Sequence, residues 1–196
     1  MAAPPDRVVV VDPTREMGEL LVHEIRQSLG VPVSSCTLQE LAGDPGLLSG
    51  ALSLSLPYHV ESIARLAPSA VVETVTLQVP DEDRDAVMKL PQGAIVLFVS
   101  HSPQVLPFAS VLLRSLRGDE ILGETRLLSA SREWRRLAAV ADVVFADALS
   151  VEAVRRARPR KLREVRIVPL PVLGRVRQAL TVVVPRSDGR PGPVGG

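Results

Sequence analysis

Four short segments of this chain bring together the side chains best suited to holding a small molecule: Asp12-Pro13-Thr14, Pro57-Tyr58-His59, Ser100-His101-Ser102 and Asp147. Each falls where an apolar, β-rich run gives way to a helix-period segment. In parallel α/β structures ligands collect beyond the carboxyl ends of strands, where helix N-termini offer unpaired N–H groups. Two carboxylates, two imidazoles, a phenol and several hydroxyls could meet hydroxyl, carboxylate or amine groups there. Each residue also has a structural reading. Asp12 and Ser102 can be helix caps, His59 and His101 surface loop residues, and Tyr58 core filling. His23 falls inside a helix with partial exposure, and Cys36 on an apolar strand reads as a small buried hydrophobe.

Catalytic patterns are missing from these segments. The sequence has no G-x-G-x-x-G, no G-x-x-x-x-G-K-[ST], no H-E-x-x-H and no G-x-S-x-G. One cysteine and scattered histidines give no zinc set, so neither a metal nor a cofactor is expected. A phosphoacceptor site of the receiver kind needs an Asp ending the third strand, where Ser55-Leu56-Pro57 stands instead. A phosphoribosyl loop is not matched by Asp147-Ala148-Leu149-Ser150. The reading is therefore not an enzyme.

The elements that position these loops recur along the chain. Residues 7–11 are a buried strand, followed by Asp12-Pro13 as cap and first helical residue. Met17, Leu20, Leu21, Ile25 and Leu29 follow at helical spacing, closed by Gly30. Strands at 31–37 and 51–56, helices at 38–48 and 58–66, and an extended run at 70–79 complete a first pass. A second pass repeats the order about ninety residues on. Strand 94–99 is followed by Ser102-Pro103, a helix to Leu116, strand 120–128, helix 132–140, strand 142–146, helix 150–158 and an extended run 163–172. This predicts an α/β protein with two parallel-sheet lobes joined by right-handed crossovers. Lobe 1 spans 1–80, a connection 81–93 and lobe 2 94–172. A helix or strand is expected at 173–185 and a disordered tail at 186–196. Pro80-Asp81-Glu82-Asp83 and Pro169-Leu170-Pro171 read as turn and stiffening signals.

Composition bounds the class. The chain has 196 residues, 46% hydrophobic and 23% charged, which is enough apolar material for a folded core and excludes wholesale disorder. No apolar run is long enough to span a bilayer, and the first residues lack the pattern of a secretory leader. The single cysteine suits a reducing compartment, so a soluble cytoplasmic protein with no membrane partner is expected. Charge is divided unevenly: residues 1–92 carry 13 acids and 6 bases, residues 93–196 carry 9 acids and 17 bases. The densest basic run, from Arg155 to Arg166, reads first as a solvated face and second as a partner or nucleic-acid surface.

The loop motifs carry a resemblance. Val-Val-Asp-Pro-Thr at 10–14, Glu-Leu-Leu at 19–21, Leu-Gln-Glu-Leu-Ala-Gly-Asp-Pro-Gly-Leu-Leu at 38–48, Leu-Pro-Tyr-His at 56–59 and Val-Ser-His-Ser-Pro at 99–103 occur in this order. The succession resembles the effector-binding part of some GntR-type bacterial transcriptional regulators, over roughly residues 7–180. The resemblance implies a two-lobed fold similar to periplasmic binding proteins of type II and LysR effector domains. It implies a small-molecule effector held between Asp12-Thr14, Pro57-His59, Ser100-Ser102 and Asp147. It also implies a homodimer that reaches DNA through a winged-helix domain not contained in these residues. A stand-alone cytoplasmic solute-binding protein, or an enzyme on the same fold using His101 or His59, are the alternatives.

Overall fold

The computed structural model describes residues 5–181. The expected tail at 186–196, and residues 182–185 of the element expected at 173–185, lie outside the described residues, while residues 173–181 of that element are helical. Lobe 1 is built from β1 (Arg7–Asp12), α1 (Arg15–Leu29), β2 (Val33–Thr37), α2 (Leu38–Gly43), β3 (Ala51–Ser55), α3 (Val60–Leu66) and β4 (Val71–Thr74). The helix α4 (Asp81–Met88) follows. Lobe 2 runs through β5 (Ile95–Ser100), α5 (Val105–Arg117), β6 (Leu122–Leu127), α6 (Ser131–Val140), β7 (Val143–Asp147), α7 (Val151–Arg156) and β8 (Leu162–Val165), followed by α8 (Leu170–Thr181). All strand pairings are parallel, and the two sheets have the same order, β2-β1-β3-β4 and β6-β5-β7-β8. The two lobes predicted from the ninety-residue offset are present.

The strand composition explains the layering. The central strands β1 and β5 are apolar almost throughout, and Val8 to Val11 and Val96 to Val99 are buried because helices cover both faces. On the outer faces, Leu41 and Ile63 of α2 and α3 cover sheet 1, and Trp134, Ala138, Val151 and Val154 of α6 and α7 cover sheet 2. The inner faces share one core. It joins Met17, Leu20, Leu21 and Ile25 of α1 to Val105, Ala109 and Leu113 of α5. Gly30, at φ 65°, ends α1 in the left-handed region and returns its N–H to Arg26 O.

The helix that ends each lobe crosses to the other. Helix α4 leaves lobe 1 and packs against α5, with Val87 in the shared core and Asp83 accepting from Arg163 Nε on β8 at 2.6 Å. Helix α8 leaves lobe 2 and packs on α1 and β3, and Arg175 reaches Glu73 on β4. The two crossing segments touch where Gln78 N donates to Ile167 O. The structure corrects the turn reading of 80–83 and 169–171. Pro80 and Pro169 each stand immediately before a helix. Asp81, Glu82 and Asp83 fill the first turn of α4, where the helix dipole favours negative charge. A further correction concerns the caps. Helix α1 starts two residues later than Asp12-Pro13 suggests, with Thr14 at the N-cap, and α5 likewise starts two residues late, with Gln104 rather than Ser102 at the N-cap.

Candidate functional site

The loops at the strand ends meet at the junction of the lobes. In lobe 2, β5 ends at Ser100 and its neighbour β7 ends at Asp147, which is wholly buried. Asp147 Oδ2 accepts from Ser100 Oγ at 2.6 Å and from His101 N at 2.7 Å; Oδ1 accepts from Leu149 N at 3.1 Å and Ser150 N at 2.8 Å. Ser102 N in turn donates to Ser100 Oγ. Four donors engage both carboxylate oxygens, so Asp147 fixes the loops after β5 and β7.

Lobe 1 uses the same two residue types on exchanged strands. Asp12 ends β1 and Ser55 ends β3. Ser55 Oγ donates to Val11 O, leaving the aspartate alone. Asp12 Oδ1 accepts from Thr14 N and Thr14 Oγ1, both at 3.0 Å. Its Oδ2 is buried without a hydrogen-bond partner, 3.8 Å from His59 Nε2. Asp12 is 1% exposed. A buried carboxylate oxygen without a donor is costly, and such oxygens are rare away from functional or water-filled positions.

Between the two aspartates runs a hydrogen-bonded chain across the junction. Ser102 Oγ donates to Gln104 Oε1 at 2.7 Å, Gln104 Nε2 donates to Thr14 Oγ1 at 2.6 Å, and Thr14 Oγ1 donates to Asp12 Oδ1. Thr14 and Gln104 are the N-cap residues of α1 and α5, ninety positions apart. Equivalent residues of the two lobes therefore touch each other. A second bridge pairs His101 Nε2 with the Glu19 carboxylate at 3.0 Å. Beside it an open groove of about 580 Å³ lies between α1, the edge strand β2 and the loops of lobe 2, lined by Glu19, His23, Ser34, Ser35, His101 and Leu149 among others.

The structure sorts the residues expected from sequence. His101 faces the groove; Thr14, Ser100, Ser102 and Asp147 form the hydrogen-bonded floor of the junction beside it, and Asp12 with His59 closes its lobe 1 end. Pro13 and Pro57 are exposed at the rims. Tyr58 is 85% exposed, so it fills no core, and its ring stands edge-on to His59. Glu19 and Gln104 were not singled out, and His23 was read only as a partly exposed helix residue. Gln104 carried a signal, because the ninety-residue offset that identified the repeat relates it to Thr14.

Two other titratable groups are unusual. Glu24, on the buried side of α1, accepts from Ile167 N and Val168 N, pinning the second crossing segment to lobe 1. Burial pushes its carboxyl up to about 7, against the pull of those N–H groups, with Asp147 adding to the rise. Cys36 is buried in the outer core of lobe 1 and its thiol is pushed up to about 11 by burial, as suits an inert residue. Among the described residues no group of three His, Cys, Asp or Glu is placed to hold a metal ion.

The fold and site define a two-lobed α/β protein with an open groove at the lobe junction. Residues 82–173 match the family model of the cyanobacterial PlmA-type GntR regulator, C-terminal domain. The matched segment starts in α4, the helix that packs on lobe 2, and ends in α8. No curated protein sequence matches the chain. Among solved structures, the chain is similar over 90% of its length to O-succinylbenzoate coenzyme A synthetase (MenE) from Bacillus subtilis in complex with AMP, at 12% identity and a TM-score of 0.32. It spans 59% of that enzyme's chain, and a likeness this distant bears on neither fold nor activity. No helix among the described residues is long and apolar enough to cross a membrane.

Proposed function

We propose that this chain is the effector-sensing part of a GntR-type transcriptional regulator, binding a small molecule at the junction of its lobes without transforming it. The observation that carries the reading is the junction itself. Two polar bridges, Gln104 to Thr14 and His101 to Glu19, join the lobes beside an open groove, and the first ends on the Asp12 carboxylate, whose other oxygen is buried with no partner. Domain junctions are where small-molecule pockets are commonest. A ligand touching both lobes can take the place of these polar bridges and, through its differential affinity, bias how the two lobes pack across their shared core. The family match over lobe 2 agrees with a regulatory role.

On this reading the protein works in the cytoplasm as a homodimer, with the effector domain resembling the periplasmic binding protein type and DNA reached through a separate winged-helix domain. A thermal-shift screen against a metabolite library tests it. A ligand at about a hundred times its dissociation constant stabilises by roughly 2.7 kcal/mol. His101→Ala is expected to shrink that shift while leaving the unliganded melting point close to wild type. Steady conversion of the best binder into product would overturn the reading in favour of an enzyme.

A further inference from the structure

We propose that the outer face of lobe 2, formed by α6, α7 and the loop before β8, docks on the phosphate backbone of duplex DNA. Arg132 and Arg136 share one side of α6, opposite the buried Trp134 and Ala138. Arg156 ends α7, and Arg158 and Lys161 stand on the following loop. All five are exposed, and among the described residues none of their side chains has a hydrogen bond or ion pair. They belong to one surface. Helices α6 and α7 rest on the same sheet face through a common core, and Arg160 of the loop lies 3.9 Å from Asp142 just after α6.

Lobe 1 is an internal control. Its corresponding outer layer, residues 38–70, has Arg65 as its one Arg or Lys, and that residue is paired with Glu61. The basic face is therefore not a by-product of the repeated fold.

The choice of partner follows from what surrounds the charges. A second copy of the chain offers a thinner acidic face: of the thirteen acids in residues 1–92, Glu16, Asp44, Glu82 and Asp85 are exposed without an ion pair among the described residues, and they are spread over α1, the loop after α2 and α4. Asp12, Glu24 and Asp83 are buried, and Glu19, Glu40 and Glu73 are held by His101, Arg15 and Arg175. A protein partner would need an apolar centre to the patch. Val140 is the one large hydrophobic that these elements expose among the described residues. Single strands bind by stacking bases on aromatic side chains. The aromatic residue of α6, Trp134, is 1% exposed. Dense unpaired cations without stacking rings fit a charged backbone read without regard to sequence.

The test is a fluorescence-anisotropy titration of the whole chain with mixed-sequence duplexes of about 20 base pairs, from 50 to 200 mM salt. Five phosphate contacts predict a slope of log K on log salt near −4.5, or roughly 500-fold weaker binding across that range. The triple variant Arg156→Gln, Arg158→Asn, Lys161→Gln is expected to flatten the slope by about 2.7. Asn is used at 158 because that residue has φ 51°, which Asn tolerates. The lobe 1 variant Arg15→Gln, Arg65→Gln should leave the slope unchanged, and melting curves should show every variant folded. Absence of binding at 50 mM salt, a slope untouched by the triple variant, or equal affinity for single strands or poly-glutamate would each overturn the proposal.

Discussion

The carboxyl ends of the two sheets place the same pair of residue types in related positions, yet one pair is closed and the other open. In lobe 2, Ser100 donates to Asp147, and four donors engage both oxygens of the carboxylate. In lobe 1 the residues have exchanged strands. Ser55 turns to a backbone carbonyl, and Asp12 keeps one oxygen buried and unpartnered beside His59. A carboxylate fully surrounded by donors holds loops in place. One with a free oxygen still has a bond to make. The repeat thus lets one lobe serve as a rigid reference while the other retains capacity at the junction.

Isosteric amides should separate the two sites most strongly. In Asp147→Asn one oxygen becomes an NH2 group facing two N–H or O–H donors, so a loss of about 2–4 kcal/mol is expected in urea unfolding. In Asp12→Asn the amide oxygen keeps the Thr14 donors and the NH2 takes the unpartnered position. Its stability is expected within about 1 kcal/mol of wild type. Equal losses at both positions would erase the distinction.

Glu24 sharpens the comparison from below, because it ties the second crossing segment to α1. Its folded-state pKa, about 7, lies above the ordinary 4.5. The folded form therefore holds its proton more tightly than the unfolded form. Its contribution is full below about pH 4.5 and is lost as pH rises through 7. Relative to Glu24→Gln, the wild type should lose up to about 3 kcal/mol between pH 4.5 and 8, at ~1.4 kcal/mol per pH unit. Parallel pH profiles for the two proteins would contradict this.

The bridge between the N-caps is a smaller effect. A double-mutant cycle with Thr14→Val and Gln104→Ala should give a coupling energy of about 0.5–1.5 kcal/mol in chemical denaturation. Additive losses would show that the two lobes are held by their apolar core alone.

Much of this architecture was legible in the sequence, for physical reasons. Four consecutive valines in β1 and the apolar run of β5 can be satisfied only by sheets covered on both faces, and the Asp-Pro and Ser-Pro pairs marked the helix starts to within two residues. Helix α4 was not legible. Its Asp-Glu-Asp start looked like a polar turn, and its small apolar face, Ala86 and Val87, gains meaning only against α5 of the opposite lobe. The site divided in the same way. Strand ends pointed to Asp12, Ser100 and Asp147, whose roles depend on neighbours within one lobe. The Gln104 to Thr14 contact depends on how two lobes pack, and Tyr58 turned outward because β3 ends in a short turn at Pro57 that leaves the ring beyond the core.

The central claim is that an effector binds at the lobe junction. Isothermal titration of the strongest stabiliser from the metabolite screen, into wild type, His101→Ala and Arg156→Gln proteins, tests it most directly. The account predicts at least about tenfold weaker binding for His101→Ala, a loss of roughly 1.4 kcal/mol, and no change for Arg156→Gln on the outer face of lobe 2. Wild-type affinity in the His101→Ala protein would contradict it.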